Sequence, residues 1–234
     1  MLNMDILSFE LGKKLGGGGQ PSPTPTPSTG YVEDGLLVYY DGNAQEAVQY
    51  SKTATFSSAT NKIIDINKCN PSDGATIEGY ILMSGASSAS SYSRGFNVGT
   101  GGTEFCLGFG NGGSSGSDYR FNPMVYWGAS MDYEIYPSGL YYGDKHTFAI
   151  VSTPNIDPDL ANITTFYIDG VQVGDSRSQS RNSTLILTGV IVEGGTSRPL
   201  NGKLYNGRFY TRALTTAELA ANHANDVAKY GGNG

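Results

Sequence analysis

Asp132 and Glu134 are the acidic residues in this sequence that come nearest to a catalytic carboxylate pair. Their spacing would place both side chains on the same face of a strand. Retaining glycoside hydrolases need two carboxyl groups about 5–5.5 Å apart, one as the nucleophile and one as the acid and base. Solvated charges on an outer strand give the same pattern, so this pair alone does not predict hydrolysis.

Nucleophilic catalysis has even less support in the sequence. The two histidines are His146, at the start of a predicted strand, and His223, in a predicted helix. Serines are abundant, but none lies in a G-x-S-x-G elbow between a strand and a helix. We therefore predict that the protein is not an enzyme and assign it no catalytic residues.

Aromatic residues concentrate between positions 119 and 142, a stretch that includes the single tryptophan, Trp127. Binding sites for small molecules combine aromatic surface with a few well-placed polar groups, and sugars stack their C–H faces on such rings. We predict a carbohydrate-binding surface formed by Trp127, Asp132, Tyr133 and Tyr136. The alternative is that these rings belong to the core, because Trp and Tyr usually bury most of their surface.

Loop aspartates raise the question of calcium, which prefers carboxylate and carbonyl oxygens. The candidates are Asp65, Asp73, Asp118, Asp157 and Asp159. They lack EF-hand spacing, and aspartate is also a common turn residue. The sequence predicts no cofactor and leaves open a structural calcium ion whose ligands it does not place.

The composition is typical of a turn-rich β protein. The 234 residues include 33 Gly and 16 Tyr, and only 15% are charged. This length is sufficient for one large domain with its own core. The formal net charge of −6, without any basic stripe, argues against nucleic acid as a partner, because phosphate contacts need clustered Lys and Arg. No apolar run approaches the roughly 20 residues that span a bilayer, so we expect no membrane insertion.

The two cysteines, Cys69 and Cys106, are too few for a disulfide framework. A single bridge between them and two separate thiols are both compatible with the sequence. Neither cysteine lies in a C-x-x-C motif, so redox and metal roles have no support.

The chain divides into three predicted parts. Residues 1–15 form a short mixed segment that we interpret as an anchoring peptide, because its apolar side chains are too few for a core. Residues 16–30 form a linker in which glycines are followed by a Pro-Thr repeat that favours an extended spacer. Residues 31–234 have a globular composition. The first ten residues lack the pattern of a secretory signal, so we expect synthesis in a host cytoplasm without export by that route.

Short apolar-polar alternations separated by Gly, Ser, Asn and Asp clusters predict an antiparallel sandwich. Phe148 and Ile150, like Phe166 and Ile168, should point into its core. The predicted strands are 36–40, 76–83, 94–98, 104–110, 119–126, 131–136, 147–152, 164–169, 185–193 and 203–210. Residues 164–174 also alternate on both sides of the pair Asp169-Gly170, which predicts a hairpin with a two-residue type I′ turn.

One helix is predicted, from residue 216 to residue 229. Thr215 and Glu218 have the spacing of a capping box, and Gly231-Gly232 should end the helix. Apolar residues recur at intervals of three and four, which predicts a narrow apolar stripe packed on the sandwich. That stripe comprises Ala217, Ala220, Ala221, Ala224, Val227 and Ala228.

Several of these segments, in this order, resemble the laminin-G-like, concanavalin A-type lectin/glucanase family. The hairpin 167–170 (Tyr-Ile-Asp-Gly) is similar to the family's "YIDG" turn. The segment 201–219 is similar to its "NGK(I/L)…R(F/I)Y.RAL(T/S)..E(L/I)" ending. Residues 34–42, 76–83 and 144–152 resemble earlier strands of the same domains. The resemblance implies an all-β, antiparallel jelly-roll sandwich of the concanavalin A-like type.

The same resemblance bears on function. The glucanase branch uses carboxylates in an E-x-D-x-x-E pattern, which this chain lacks, whereas other members are glycan-binding modules. The leader and the Pro-Thr linker look like those of structural proteins of bacteriophages and prophages of gut bacteria. The expected function is carbohydrate binding and adhesion on a virion, with a surface glycan or polysaccharide and the virion as partners. The alternatives are a divergent glycoside hydrolase, a ligand-free decoration protein, and, for location, a bacterial cell surface.

Overall fold

The computed structural model of the chain describes residues 30–42, 53–55, 62–65, 74–85, 92–99, 103–110, 120–127, 140–157, 159, 162–178, 184–187, 189–192 and 199–233. The predicted anchoring peptide 1–15, the linker up to residue 29 and the predicted strand 131–136 lie outside these residues. The division of the chain into three parts therefore stays a prediction.

The described residues form fourteen strands and a C-terminal helix. The strands are β1 Leu36–Asp41, β2 Thr53–Thr55, β3 Lys62–Asp65, β4 Ala75–Met83, β5 Tyr92–Val98, β6 Thr103–Gly110, β7 Arg120–Trp127, β8 Lys145–Thr153, β9 Ile163–Ile168, β10 Val171–Gln172, β11 Arg177–Ser178, β12 Thr184–Leu187, β13 Gly189–Val192 and β14 Gly202–Tyr210. The helix is α1, Thr216–Tyr230.

These strands build two main antiparallel sheets. The large sheet has the order β1-β14-β4-β8-β9-β10, and β11 also pairs with β9. The small sheet has the order β2-β13-β5-β6-β7, and β12 pairs separately with β3. Every pairing in the described part of the chain is antiparallel. The predicted all-β jelly-roll sandwich is confirmed.

The core lies between the two sheets and follows from side-chain alternation. Phe148 and Phe166 of the large sheet are buried in the same cluster as Phe105 and Phe109 of the small sheet. The rings of Phe109 and Phe148 meet edge to face, with their centroids 4.9 Å apart. Because alternate residues of a strand point to opposite faces, the remaining positions of the large sheet face outward, towards α1.

Most predicted strands are confirmed, with ends within two residues of the prediction. The prediction of one strand at 185–193 was wrong, because β12 pairs with β3 whereas β13 joins the small sheet. β12 is Thr184–Leu187 and β13 is Gly189–Val192, and the two strands have different partners. The short strands β2, β3 and β11 were not predicted.

The predicted hairpin turn between β9 and β10 is confirmed. Asp169 has φ 54° and Gly170 has φ 78°, which are the positive angles that a type I′ turn requires. A Cβ on Gly170 would lie 2.8 Å from Ala220 Cα, so glycine also lets α1 approach the turn closely.

The helix has the predicted ends but buries an unpredicted face. Thr215 and Glu218 form the capping box. The predicted alanine stripe is wrong, because those alanines are exposed, while Leu219, Asn222 and Asp226 are buried. The reason is that the sheet beneath α1 carries a buried arginine, which requires polar partners from the helix.

Among the described residues, none of the helical segments has the length and apolar character that crossing a membrane would require.

Candidate functional site

Of the four predicted carbohydrate-binding residues, Trp127 alone lies in the described part of the chain. Trp127 ends β7, and its Cα is paired with that of Thr103. Asp132, Tyr133 and Tyr136 lie outside the described residues. The predicted surface therefore stays a prediction.

A cluster of buried charges lies between α1 and the large sheet. Arg208 of β14 is paired in register with Glu78 of β4, and its Nε donates to Glu78 Oε2 over 3.0 Å. The other edge of the guanidinium donates to both oxygens of Asp226 on α1, over 2.7 and 2.9 Å. All three residues are completely buried. We call Glu78, Arg208 and Asp226 the buried ion cluster.

Amide and hydroxyl donors complete this cluster. Asn206 and Thr147 donate to Asp226 over 2.6 and 2.7 Å, and Asn222 donates to Glu78 Oε2 over 2.7 Å. Burial would raise the pKa of Asp226, but Arg208 and these hydrogen bonds together lower it. Burial dominates at Glu78 and raises its pKa against the charge of Arg208. In the described part of the chain, Glu78 Oε1 has no hydrogen-bond partner. The carboxylates stabilise the helix–sheet contact, and their burial keeps them away from a substrate.

The chain enters the domain against this cluster. The ring of Tyr31 lies 4.3 Å from the Arg208 guanidinium, and its hydroxyl accepts from Asn206 Nδ2 over 3.1 Å. The backbone N–H of Val32 donates to Asn222 Oδ1 over 3.0 Å. The first described residues are thereby attached to both β14 and α1.

The two histidines, which are far apart in sequence, meet at the hairpin turn. His146 Nδ1 lies 2.7 Å from Asp169 Oδ2, and His223 Nδ1 lies 3.3 Å from Asp169 Oδ1. Thr147 donates its hydroxyl to Asp226, so its oxygen accepts from His223 Nδ1, 3.0 Å away. Among the described residues, His146 Nε2 is buried without a partner, and this His–Asp pair contacts no nucleophilic hydroxyl there. The arrangement links β8, the turn and α1.

A group of tyrosines and lysines lies at the C-terminal end of α1. The rings of Tyr205 and Tyr230 are 5.5 Å apart, and both pack on buried Tyr80. Lys203 Nζ lies 4.6 Å and Lys145 Nζ 5.5 Å from the centroid of the Tyr205 ring. The two tyrosine side chains and both lysines are partly exposed. We call Lys145, Lys203, Tyr205 and Tyr230 the tyrosine–lysine patch.

Sequence reasoning did not identify the buried ion cluster or this patch. The available signal for Glu78 was its position between apolar residues in a strand whose other face is core. No local pattern connects Asp226 to Arg208, because their contact depends on where α1 crosses the sheet.

The structure bears on the predicted calcium site and on the predicted state of the cysteines to different degrees. Within the residues that the structure describes, no three His, Cys, Asp or Glu side chains converge as a ligand set, and the calcium hypothesis stays untested. Asp157 Oδ1 accepts from the N–H of Asp159 over 2.9 Å, as a turn-forming aspartate does. Cys106 is buried and forms no disulfide with any residue that the structure describes, and its Sγ lies 2.9 Å from Asn97 Oδ1. Cys69 lies outside the described residues.

No family model and no curated protein matches the sequence. Among solved structures, the chain is similar to the Ruminococcus gnavus IT-sialidase CBM40 bound to α2,3-sialyllactose, at 14% identity and a TM-score of 0.46, covering 80% of this chain and 98% of that one. It is similar to the Trypanosoma rangeli sialidase in complex with the inhibitor DANA, at 16% identity and a TM-score of 0.43, covering 64% of this chain and 22% of that one. It is also similar to domain 4 of AbnA, a GH43 extracellular arabinanase from Geobacillus stearothermophilus in complex with arabinotriose. That match has 12% identity and a TM-score of 0.45, and covers 68% of this chain and 70% of that one. These scores are low, and the sandwich architecture rests on the strand pairing described above.

Proposed function

We propose that this protein is a non-catalytic carbohydrate-binding and adhesion domain displayed on a bacteriophage virion. Trp127, Asp132, Tyr133 and Tyr136 bind a surface glycan or polysaccharide by ring stacking and hydrogen bonding. Residues 1–15 attach the domain to the virion, and the linker holds it at a distance from the particle. Many copies on one particle offset the weak affinity of each site through effective concentration.

The observation that carries the non-catalytic part of this proposal is that two buried carboxylates form ion pairs with Arg208. Glu78 and Asp226 meet at Arg208 beneath α1, where both acidic side chains are completely buried. A glycosidase must instead present its two carboxyl groups to a sugar in an open site. In this sandwich Glu78 and Asp226 join the helix to the sheet through Arg208.

The sequence resemblance supports the glycan-binding part, and the sheet order is consistent with it. The segments that resemble the lectin/glucanase family become the strands β1, β4, β8, β9 and β14. These strands are consecutive neighbours in the large sheet, in the order β1-β14-β4-β8-β9. Segments that are distant in sequence thus belong to one structural unit.

The attachment at Tyr31 supports display on a tether. Tyr31 contacts Arg208 and Asn206, and Asn225 of α1 donates to the carbonyl of Gly30. A pull on the linker would therefore be transmitted to α1 and β14 and not to a loose terminus. Such a connection suits a domain held on a large particle.

Binding of the full chain to a glycan array, with Asp132→Asn and Trp127→Ala variants, tests this function. We expect the wild-type protein to bind a glycan and both variants to lose most of the signal. Asp157→Asn, the same chemical change in an exposed loop, is the matched control and should bind normally. Far-ultraviolet circular dichroism and the thermal unfolding midpoint verify the fold of Trp127→Ala, and Asp132→Asn keeps the test valid if that variant unfolds.

Three results would contradict parts of the proposal. A folded wild-type protein that binds no glycan would favour the ligand-free decoration protein. Release of reducing sugar from a β-glucan, abolished by Glu134→Gln, would favour the divergent glycoside hydrolase. Incorporation of a chain lacking residues 1–15 into virions at the normal level would remove the assigned role of the anchoring peptide.

A further inference from the structure

The tyrosine–lysine patch brings two positive charges to a pair of aromatic rings. Lys145 begins β8 and Lys203 lies near the start of β14, and these strands are separated in the large sheet by β4 alone. Both ammonium groups lie within 5.5 Å of the centroid of the Tyr205 ring. Tyr205 occupies the irregularity in the pairing of β14 with β4, where the register shifts between Leu204 and Asn206.

The rings of the patch are held in place from behind. Tyr80 is buried beneath them, with its centroid 5.7 Å from that of Tyr205 and 6.1 Å from that of Tyr230. Its hydroxyl donates to the carbonyl of Gly231 over 2.8 Å. The exposed part of Tyr205 and Tyr230 is therefore a preorganised aromatic surface, which lowers the entropy lost on binding.

Lys145 of the patch and the neighbouring Lys229 have different kinds of hydrogen-bond partner. Lys229, next to the patch, forms an ion pair with Asp41 at 2.7 Å. Lys145 Nζ instead donates to the carbonyls of Tyr230 and Gly231, each over 3.0 Å. Peptide carbonyls carry only partial charges, so a full positive charge stays close to the Tyr205 ring. This local charge contrasts with the formal net charge of −6 of the whole chain.

We propose that the tyrosine–lysine patch binds an anionic sugar unit, one that carries a carboxylate or a sulfate group. The sugar ring stacks on the exposed tyrosine surface while its anionic group lies between the ammonium groups of Lys145 and Lys203. This inference rests on the proposed glycan-binding function and adds a second contact site with a stated ligand class. Because both cations are partly exposed, the contact is weakened by salt.

Affinity electrophoresis of the full chain tests the patch. The gels contain polygalacturonate as the carboxylate probe, dextran sulfate as the sulfate probe, or neutral dextran. We expect retardation in at least one anionic gel, and about fivefold weaker binding for Lys203→Gln, as removal of one partly exposed charge contact implies. Lys62→Gln in β3 removes the same charge elsewhere and should behave as wild type. Tyr205→Ala should weaken binding as well, provided that its circular dichroism spectrum is unchanged.

The outcomes separate this inference from the proposed function. Equal weakening by Lys62→Gln and Lys203→Gln would mean nonspecific attraction and would overturn the patch. If the wild-type protein binds the glycan array and Lys203→Gln is retarded as strongly as wild type in the anionic gels, the patch is overturned. The proposed glycan-binding function is then unaffected. Failure to bind any glycan on the array or in the gels would overturn both. Which of the two anionic gels retards the protein identifies the anionic group.

Discussion

Replacing Asp226 by asparagine removes the charge that holds Arg208 between α1 and the large sheet. The carboxylate accepts two hydrogen bonds from the guanidinium and one each from Asn206 and Thr147. Asparagine keeps the shape of the side chain but turns one acceptor into a donor. That donor faces N–H or O–H groups that are themselves donors, and burial excludes water from the site.

The expected loss of stability follows from the burial of the pair. Removing one partner of a buried ion pair costs about 3–5 kcal/mol. Burial and the charge of Asp226 both raise the pKa of Glu78, so the loss of the Asp226 charge favours the ionised form of Glu78 beside Arg208 and offsets part of the cost. We therefore expect the lower end, about 3 kcal/mol. This is a large fraction of the roughly 5–15 kcal/mol that stabilises a typical domain.

Equilibrium unfolding in urea, followed by tryptophan fluorescence and circular dichroism, measures this loss. With a slope of about 2 kcal/mol per molar urea, the midpoint should fall by about 1.5 M. The matched control is Asp34→Asn, because Asp34 pairs with Arg212 at 2.8 Å while 85% of its side chain is exposed. Exposed pairs contribute about 0–1 kcal/mol, so the control should shift the midpoint by at most about 0.5 M.

The reasoning about the buried ion cluster would be refuted if Asp226→Asn shifted the midpoint no more than Asp34→Asn. An unchanged midpoint would mean that the gain in Coulomb energy merely balances the cost of burying both charges. A changed slope would instead show that the folded or unfolded state of the variant differs in exposed surface. Thr147→Val would then give an independent measurement, because it removes the hydrogen bond to Asp226 together with the one from His223.

Two further predictions concern the N-terminal part of α1. Gly170→Ala should destabilise the protein by about 1–3 kcal/mol more than Gly143→Ala. The reason is that a Cβ at Gly170 would meet the backbone of Ala220 at 2.8 Å, whereas nothing lies within 4 Å of a Cβ at Gly143. Equal midpoints of the two variants in thermal unfolding would contradict the close approach of α1 to the turn. The hydrogen bond from Arg212 lowers the pKa of Glu218 from 4.5 to about 2, so its contribution is complete above pH 4.5 and is lost as the pH falls towards 2. Glu218→Gln should flatten the pH dependence of stability in that window, and an unchanged acid limb would disprove the assignment.

Local sequence patterns predicted the elements whose geometry depends on neighbouring residues. The turn at Asp169-Gly170 was predictable because few residue pairs tolerate two positive φ angles. The capping box was predictable because Thr215 and Glu218 satisfy each other's backbone donors within one turn. The core positions of β8 and β9 followed from alternation, which has a period of two residues regardless of the partner strand.

The same reasoning failed where a residue's neighbours come from elsewhere in the chain. The alanines of α1 repeat at helical spacing, yet Asn222 and Asp226 occupy the buried face. Hydrophobic periodicity assumes an apolar surface beneath the helix, whereas this surface contains Arg208 and Glu78. The strand predicted at 185–193 failed similarly, because β12 and β13 pair with different partners.

Sequence by itself determined that this chain would form an antiparallel β sandwich with a capped C-terminal helix, because turn chemistry, alternation and capping act over a few residues. Only the tertiary structure decided which face of α1 is buried, that His146 and His223 meet at Asp169, and that lysines from two strands gather around Tyr205. These contacts join residues that are far apart in the chain, and their energies depend on distance and burial in the folded protein.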